Sequence, residues 1–126
     1  MRNDYSAKIK ESSRELSNKE KVMFKDTSSC VKLNDVCLPG EDVTINVDLW
    51  VVLEIHNEKT QDKDYLNYIL VDRDGTKYVT GSQGFWNTFC DIWDDMEDCT
   101  EEWSLNVFRR PSKNYSGKDF LTCCIC

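Results

Sequence analysis

Apolar residues occupy every second position from Val43 to Ile55, namely Val43, Ile45, Val47, Leu49, Val51, Leu53 and Ile55, with Thr44, Asn46, Asp48, Trp50, Val52, Glu54 and His56 between and after them. Side chains leave a strand on alternate sides, so a period of two held this long predicts one extended strand with a buried face and a mostly wet one. Thirteen residues at roughly 3.3 Å each would span about 43 Å, about twice the usual strand length. The expectation is a strand that bends and is shared between two parts of a sheet, as small β-barrels require.

The segments after that strand narrow the choice of fold. The polar tract HNEKTQDKD ends the alternation, and YLNYILVD and TKYVTGS then flank Asp72-Arg73-Asp74-Gly75, which predicts a hairpin with glycine where φ turns positive. Leu66, Tyr68 and Leu70 share one face of its first strand, Ile69 and Val71 the other. Phe85, Trp86, Phe89, Ile92, Trp93 and Met96 then fall on one helical stripe, with Ser82 as the predicted N-cap. The opposite side of that helix carries Asp91, Asp94, Asp95 and Asp98. WSLNVF and FLTCCIC, joined by RRPSKNYSGKD, read as a closing pair of strands. A long bent strand, a hairpin, a helix between strands 3 and 4 and a final hairpin make the order of a five-stranded OB-fold barrel, mainly β with one helix.

Residues 1–26 mix charge with isolated Tyr5, Ile9 and Leu16, and are expected to form a flexible or helical arm ahead of the folded domain at 27–126. In CVKLNDVCLPGED, Pro39-Gly40 is a turn that leads into the long strand. No apolar run nears the twenty residues a bilayer needs, and the N-terminal segment is charged where a signal peptide is hydrophobic. The expected setting is the cytoplasm, with the odd number of cysteines acting as small buried hydrophobes and Cys30–Cys37 or Cys90–Cys99 bridges as the alternative.

Net charge is −7, yet it is distributed unevenly: +2 over residues 1–26, −12 over 27–102 and +3 from Trp103 onward. OB-folds bind single strands across their second and third strands and the flanking loops, where rings stack on bases and cations meet phosphates. The second and third strands hold Tyr68, Lys77 and Tyr78, Trp50 lies on the polar-facing register of the first, and the last loop holds Arg109, Arg110, Lys113, Tyr115 and Lys118. A solvated turn and core tyrosines would explain the same residues without function. Catalysis has no constellation behind it: His56 is the single histidine, no glycine-rich phosphate loop is present, and Asp72, Asp74 and Gly75 lack the spacing of a calcium loop. No enzyme activity, metal or cofactor is expected.

The tract DYLNYILVDRDGTKYVTGSQGFWNTFCDIWDDM, followed by WSLNVFRRPSKNYSGKDFLTC, resembles the small single-stranded-DNA-binding proteins of phages and mobile elements of Gram-positive bacteria. The likeness lies in D-x-D-G-T, the returning Y-x-T-x-S, the aromatic helix and the basic hairpin tip before G-K-D-F. It implies an OB-fold that coats single-stranded DNA during replication, without catalysis and with little sequence preference, with contacts at Tyr78, Arg109, Arg110, Lys113 and Lys118. The family's disordered acidic tail has no counterpart, since Phe120 to Cys126 reads as strand. The alternative is a phage-type inhibitor, an anti-CRISPR or other anti-defence protein, whose Asp91, Asp94, Asp95, Asp98, Glu101 and Glu102 imitate phosphates on a basic host protein. A homodimer is compatible with either reading.

Overall fold

The long alternating segment breaks at Asn46 and bulges at Asp48, and that pair of irregularities organises the molecule. The computed structural model describes residues 5–59, 61, 63–111 and 119–125. Its elements in chain order are β1 (Tyr5–Ser12), α1 (Asn18–Lys25), β2 (Val31–Lys32), α2 (Leu33–Val36), β3 (Val43–Ile45), β4 (Val47–Asn57), β5 (Asp64–Asp72), β6 (Lys77–Thr80), α3 (Gln83–Met96), β7 (Leu105–Pro111) and β8 (Asp119–Ile125). They form a five-stranded sheet in the order β1-β4-β5-β6-β2 and a three-stranded sheet in the order β3-β7-β8.

The predicted long strand is thus shared between two sheets, β3 in one and β4 in the other. Opposite β5, Val47 pairs with Asp72 and Leu49 with Val71, so β4 advances two residues for one and Asp48 is the extra residue of a β-bulge. One extra residue reverses the facing of everything beyond it. Val43, Ile45 and Val47 therefore join one core cluster, whereas Leu49, Val51, Leu53 and Ile55 join another on the opposite face of the larger sheet. A single unbroken sequence stripe feeds two cores.

The Asp72 side chain fixes this junction. Its carboxylate is buried and accepts from the Asn46 backbone N–H at 3.1 Å and the Asp74 N–H at 3.1 Å, while the Asn46 carbonyl accepts from Arg73 N–H at 3.0 Å. The turn itself is the one predicted, with Gly75 at φ +94° and its N–H donating to the Asp72 carbonyl.

Two expectations are corrected. No closed barrel is present among the described residues, because the strand edges that would meet are already taken: β2 pairs in parallel with β6, and β1 pairs antiparallel with β4. Three helices occur among the described residues rather than one. The segment expected to be a flexible or helical arm supplies β1 and then the helix α1. A capping box starts α1, the Ser17 side chain accepting from Glu20 N–H while the Glu20 carboxylate accepts from Ser17 N–H. Leu16 and Phe24 are buried against Leu53, Ile55, Ile69 and Val79. The segment therefore covers the second face of a sheet that would otherwise expose a row of aliphatic side chains.

The other face packs on α3 and the smaller sheet. Helix α3 begins as predicted, with the Ser82 hydroxyl accepting from Phe85 N–H at 3.2 Å, and buries Phe85, Trp86 and Phe89. The described cysteines, Cys30, Cys37, Cys90, Cys99, Cys123 and Cys124, are free thiols. Burial holds Cys123 protonated, its thiol pushed up to about 12.

Candidate functional site

Two of the aromatic residues singled out for base stacking, Trp50 and Tyr68, lie on the even-numbered face of β4 and β5, and that face is covered by α3. The Tyr68 ring lies 4.6 Å from the Trp86 ring, nearly parallel at 13°, and the residue is only 4% exposed. Trp50 meets Trp86 edge-on at 5.6 Å and Trp93 edge-on at 6.4 Å, and Trp93 in turn meets Trp103 at 6.2 Å. All four tryptophans of the chain are drawn into one aromatic layer between α3 and the sheets. Tyr78 packs on the same cluster, and desolvation there raises its phenol above the ordinary range. Tyr68 and Trp50 are thus core-building residues, and a base has no access to the face of Tyr68. The sequence shows the rings; it does not show that α3 folds back over them.

The cations separate into fixed and free. Arg109 projects inward and is spent on structure: its Nε donates to the Cys37 carbonyl at 2.6 Å, one terminal nitrogen to the Asn34 carbonyl at 2.9 Å and the other to Asp119 Oδ1 at 3.1 Å. It ties the carbonyl end of α2 to the smaller sheet. Arg110, on the opposite face of β7, is exposed and lies 5.1 Å from the Phe108 ring centroid. Lys77 lies over the Phe24 ring at 5.8 Å, on the face covered by α1. Lys113, Tyr115 and Lys118 fall outside the described residues. The nine residues expected to share a nucleic-acid groove therefore include members on different faces.

The acidic residues behave oppositely. Asp91, Asp94, Asp95, Asp98, Glu101 and Glu102 are all exposed. The ion pairs among the described residues join Arg14 to Glu20, His56 to Glu58 and Asp64, Lys63 to Glu58 and Arg109 to Asp119, and none includes one of these six. Spacings of three and four along the helix bring 91 near 94 and 95, and 94 near 98, so like charges neighbour one another. The last turn of α3 has no basic residue, although a helix C-terminus carries partial negative charge. Each of these features costs a few tenths of a kcal/mol, roughly 1–2 kcal/mol together, without compensation among the described residues.

One cluster escaped the sequence reading. His56 Nδ1 lies 2.7 Å from Asp64 Oδ1 and its Nε2 3.3 Å from Glu58 Oε1, which raises the imidazole above its ordinary value, chiefly through the bond to Asp64. Lys63 closes on Glu58 at 3.2 Å. The clue available was a histidine at a predicted strand end followed by carboxylates in a turn tract. These are exposed ion pairs that pin the β4–β5 connection, and Ser6, opposite His56 on β1, lines the same small cleft. A polar cleft of about 370 Å³ lies elsewhere, lined by Lys32, Asn34, Asp35, Tyr65, Asn67 and Thr80 among others, with the Thr80 hydroxyl donating to Asn34 Oδ1 at 2.7 Å. Among the described residues, no three His, Cys, Asp or Glu side chains are placed to hold a metal ion, and no helix is long and apolar enough to cross a membrane. No family model, curated protein or solved structure matches this chain.

Proposed function

We propose that this protein is a non-enzymatic binding module that docks onto a basic surface of a partner protein through Asp91, Asp94, Asp95, Asp98, Glu101 and Glu102, in the manner of an anti-defence inhibitor of phages or mobile elements. The observation that carries this reading is the exposure of all six carboxylates with no ion pair to any described residue. A partner's lysines and arginines would remove the repulsion within the acidic face, so association relieves a cost that the free protein bears. Carboxylates at helical spacing offer a basic channel the negative charge it meets on nucleic-acid phosphates. In fold terms, β3 with β4, then β5, β6, α3, β7 and β8 follow the OB order, opened where β1 and β2 occupy the edges.

Single-stranded DNA binding, the function implied by the resemblance, draws its support from Arg110, Lys77 and Tyr78, but the burial of Tyr68 and the commitment of Arg109 take two of its contacts away. One experiment separates the readings. Amide chemical shifts are followed while an arginine-rich peptide, and separately oligothymidine, is added at low and high salt. Peptide-induced shifts concentrated at 91–102, weakened by salt and abolished in the Asp94→Lys/Asp95→Lys/Asp98→Lys variant, are expected, with no response to oligothymidine. Salt-weakened oligothymidine binding that Arg110→Glu impairs would replace this proposal with the DNA reading.

A further inference from the structure

The larger sheet is notched where β6 stops. Strand β5 begins at Asp64, but its pairing with β6 begins only at Tyr68, opposite Thr80, so residues 64–67 have no strand on that side among the described residues. Strand β6 ends at Thr80 and the chain leaves through Gly81, which has no side chain to fill the space. Lys32 and the first residues of α2 supply another wall. The result is the polar cleft of about 370 Å³, at the small end of ligand-sized cavities. Tyr65 and Asn67 both line it, because residues two apart on a strand share a face.

The fold uses little of the hydrogen-bonding capacity gathered there. One pair is fixed: the buried Thr80 hydroxyl donates to Asn34 Oδ1 at 2.7 Å and accepts from Ser82 N–H at 3.2 Å, while the Asn34 carbonyl accepts from Arg109 at 2.9 Å. Asn34 is thereby oriented with its Nδ2 donors unspent. The Lys32 ammonium, the Asp35 carboxylate, the Tyr65 hydroxyl and the Asn67 carboxamide make no hydrogen bond or ion pair among the described residues. Lys32 and Asp35 are the charged residues of the lining, so it is neutral overall. Tyr65 is partly buried against the second core, which steadies its ring at the cleft.

A ligand matched to this lining donates and accepts at several closely spaced points, carries no net charge and presents an apolar side to a ring. An apolar molecule would leave the polar groups unpaired. An anion would gain Lys32 but meet Asp35, and a cation the reverse. A zwitterion would engage those two charges and leave the carboxamides and the Tyr65 ring unmatched. Hydroxyls both donate and accept, and a sugar ring carries them around its edge with C–H groups on its faces. We infer that the cleft binds a neutral mono- or disaccharide, its hydroxyls bonded to Asn34 Nδ2, Asp35 and Asn67 and a C–H face laid on Tyr65. None of these residues belongs to the 91–102 acidic face, so this is a second site with a ligand of its own.

Titration of the full chain to about 50 mM with the methyl glycosides of glucose, galactose, mannose and N-acetylglucosamine, followed by amide and carboxamide chemical shifts, tests this. At least one glycoside should move the Asn34 and Asn67 carboxamide signals and the Thr80 and Gly81 amides, saturating with a dissociation constant of about 1 mM that salt leaves unchanged. Gly81 is not at positive φ, and a Cβ there meets Asn67 Oδ1 at 3.7 Å and the Leu66 carbonyl at 3.9 Å, ordinary contact distances. Gly81→Val therefore fits the fold while occupying cleft space, and should weaken binding at least about tenfold. Asn67→Ala, at a side chain that bonds nothing in the fold, should weaken it about fivefold, and unmoved amides along α3 show that each variant keeps its structure. The inference is overturned if none of these glycosides gives saturable shifts at the cleft, if salt weakens the binding, if glycine produces the same shifts at lower concentration, or if both variants bind as the parent does.

Discussion

Replacing Tyr68 by alanine tests whether its ring belongs to the core or to a binding surface. A tyrosine buries about 150–250 Å², which at about 25 cal/mol per Å² amounts to about 4–6 kcal/mol, an upper bound because the unfolded chain already hides part of that area. Truncating a buried aromatic typically costs about 3–5 kcal/mol, and the 4.6 Å stack on Trp86 places Tyr68 within that range. For a chain of this length each kcal/mol lowers the melting temperature by about 4 °C, so Tyr68→Ala should lose about 12–20 °C. Tyr68→Phe retains the ring and the stack and should stay within about 1 kcal/mol of the parent. Urea unfolding followed by tryptophan fluorescence measures both, since Trp86 reports directly on the contact. A Tyr68→Ala variant less than about 1 kcal/mol below the parent would refute the argument, because only a ring free of α3 could be removed so cheaply.

Arg109→Met should cost about 1.5–3 kcal/mol and accelerate hydrogen exchange over 34–37, since two carbonyls of α2 lose a charged donor, whereas Arg110→Met should stay within about 0.5 kcal/mol. Asp72→Ala leaves the Asn46 and Asp74 amides without their acceptor and should cost about 1–3 kcal/mol; faster exchange of the Asn46 amide would localise the loss to the β3–β4 junction. His56 is raised by Asp64 first and Glu58 second, so its stabilising contribution is fully present below about pH 6.5 and is lost as pH rises through the higher folded value. Urea midpoints from about pH 5 to 9 should therefore fall on the alkaline side in the parent, and His56→Gln should flatten that part of the profile.

The elements with strong local signals were legible in the sequence: the long strand, the Asp72–Gly75 turn, and the aromatic helix with Ser82 at its start all stand where their patterns put them. Strand β1 was overlooked because its outward face is lysine, the residue type an edge strand needs, and only Ala7 and Ile9 are seen to pack inward. The Ser17 to Glu20 capping box was present as S-x-x-E but stood before a run with little apolar periodicity. The face reversal at Asp48 left no trace in the pattern at all. Apolar residues stay on odd positions on both sides of the bulge, because the second core begins where the first one ends. A barrel was expected partly for that reason: a stripe taken as facing one interior in fact faces two.

Side-chain roles were harder to read than elements because composition does not say which face a third element covers. Trp50 and Tyr68 occupy the register a binding platform would use, and the same register is where α3 packs. Arginine at 109 and 110 illustrates the point within one dipeptide: alternation turns the first into the molecule to hold α2 and the second outward over Phe108, though their chemistry is identical. The acidic residues differ because their reading depends on charge neighbours rather than on facing. Carboxylates at 91, 94, 95 and 98 repel one another on any helix, and a counter-charge must come either from this chain or from outside it. The described ion pairs of this chain spend their cationic partners at Glu20, Glu58, Asp64 and Asp119, none of them on α3. The compensating charge for that helix is therefore sought on another molecule, which is why the acidic face, rather than the buried rings, carries the functional proposal.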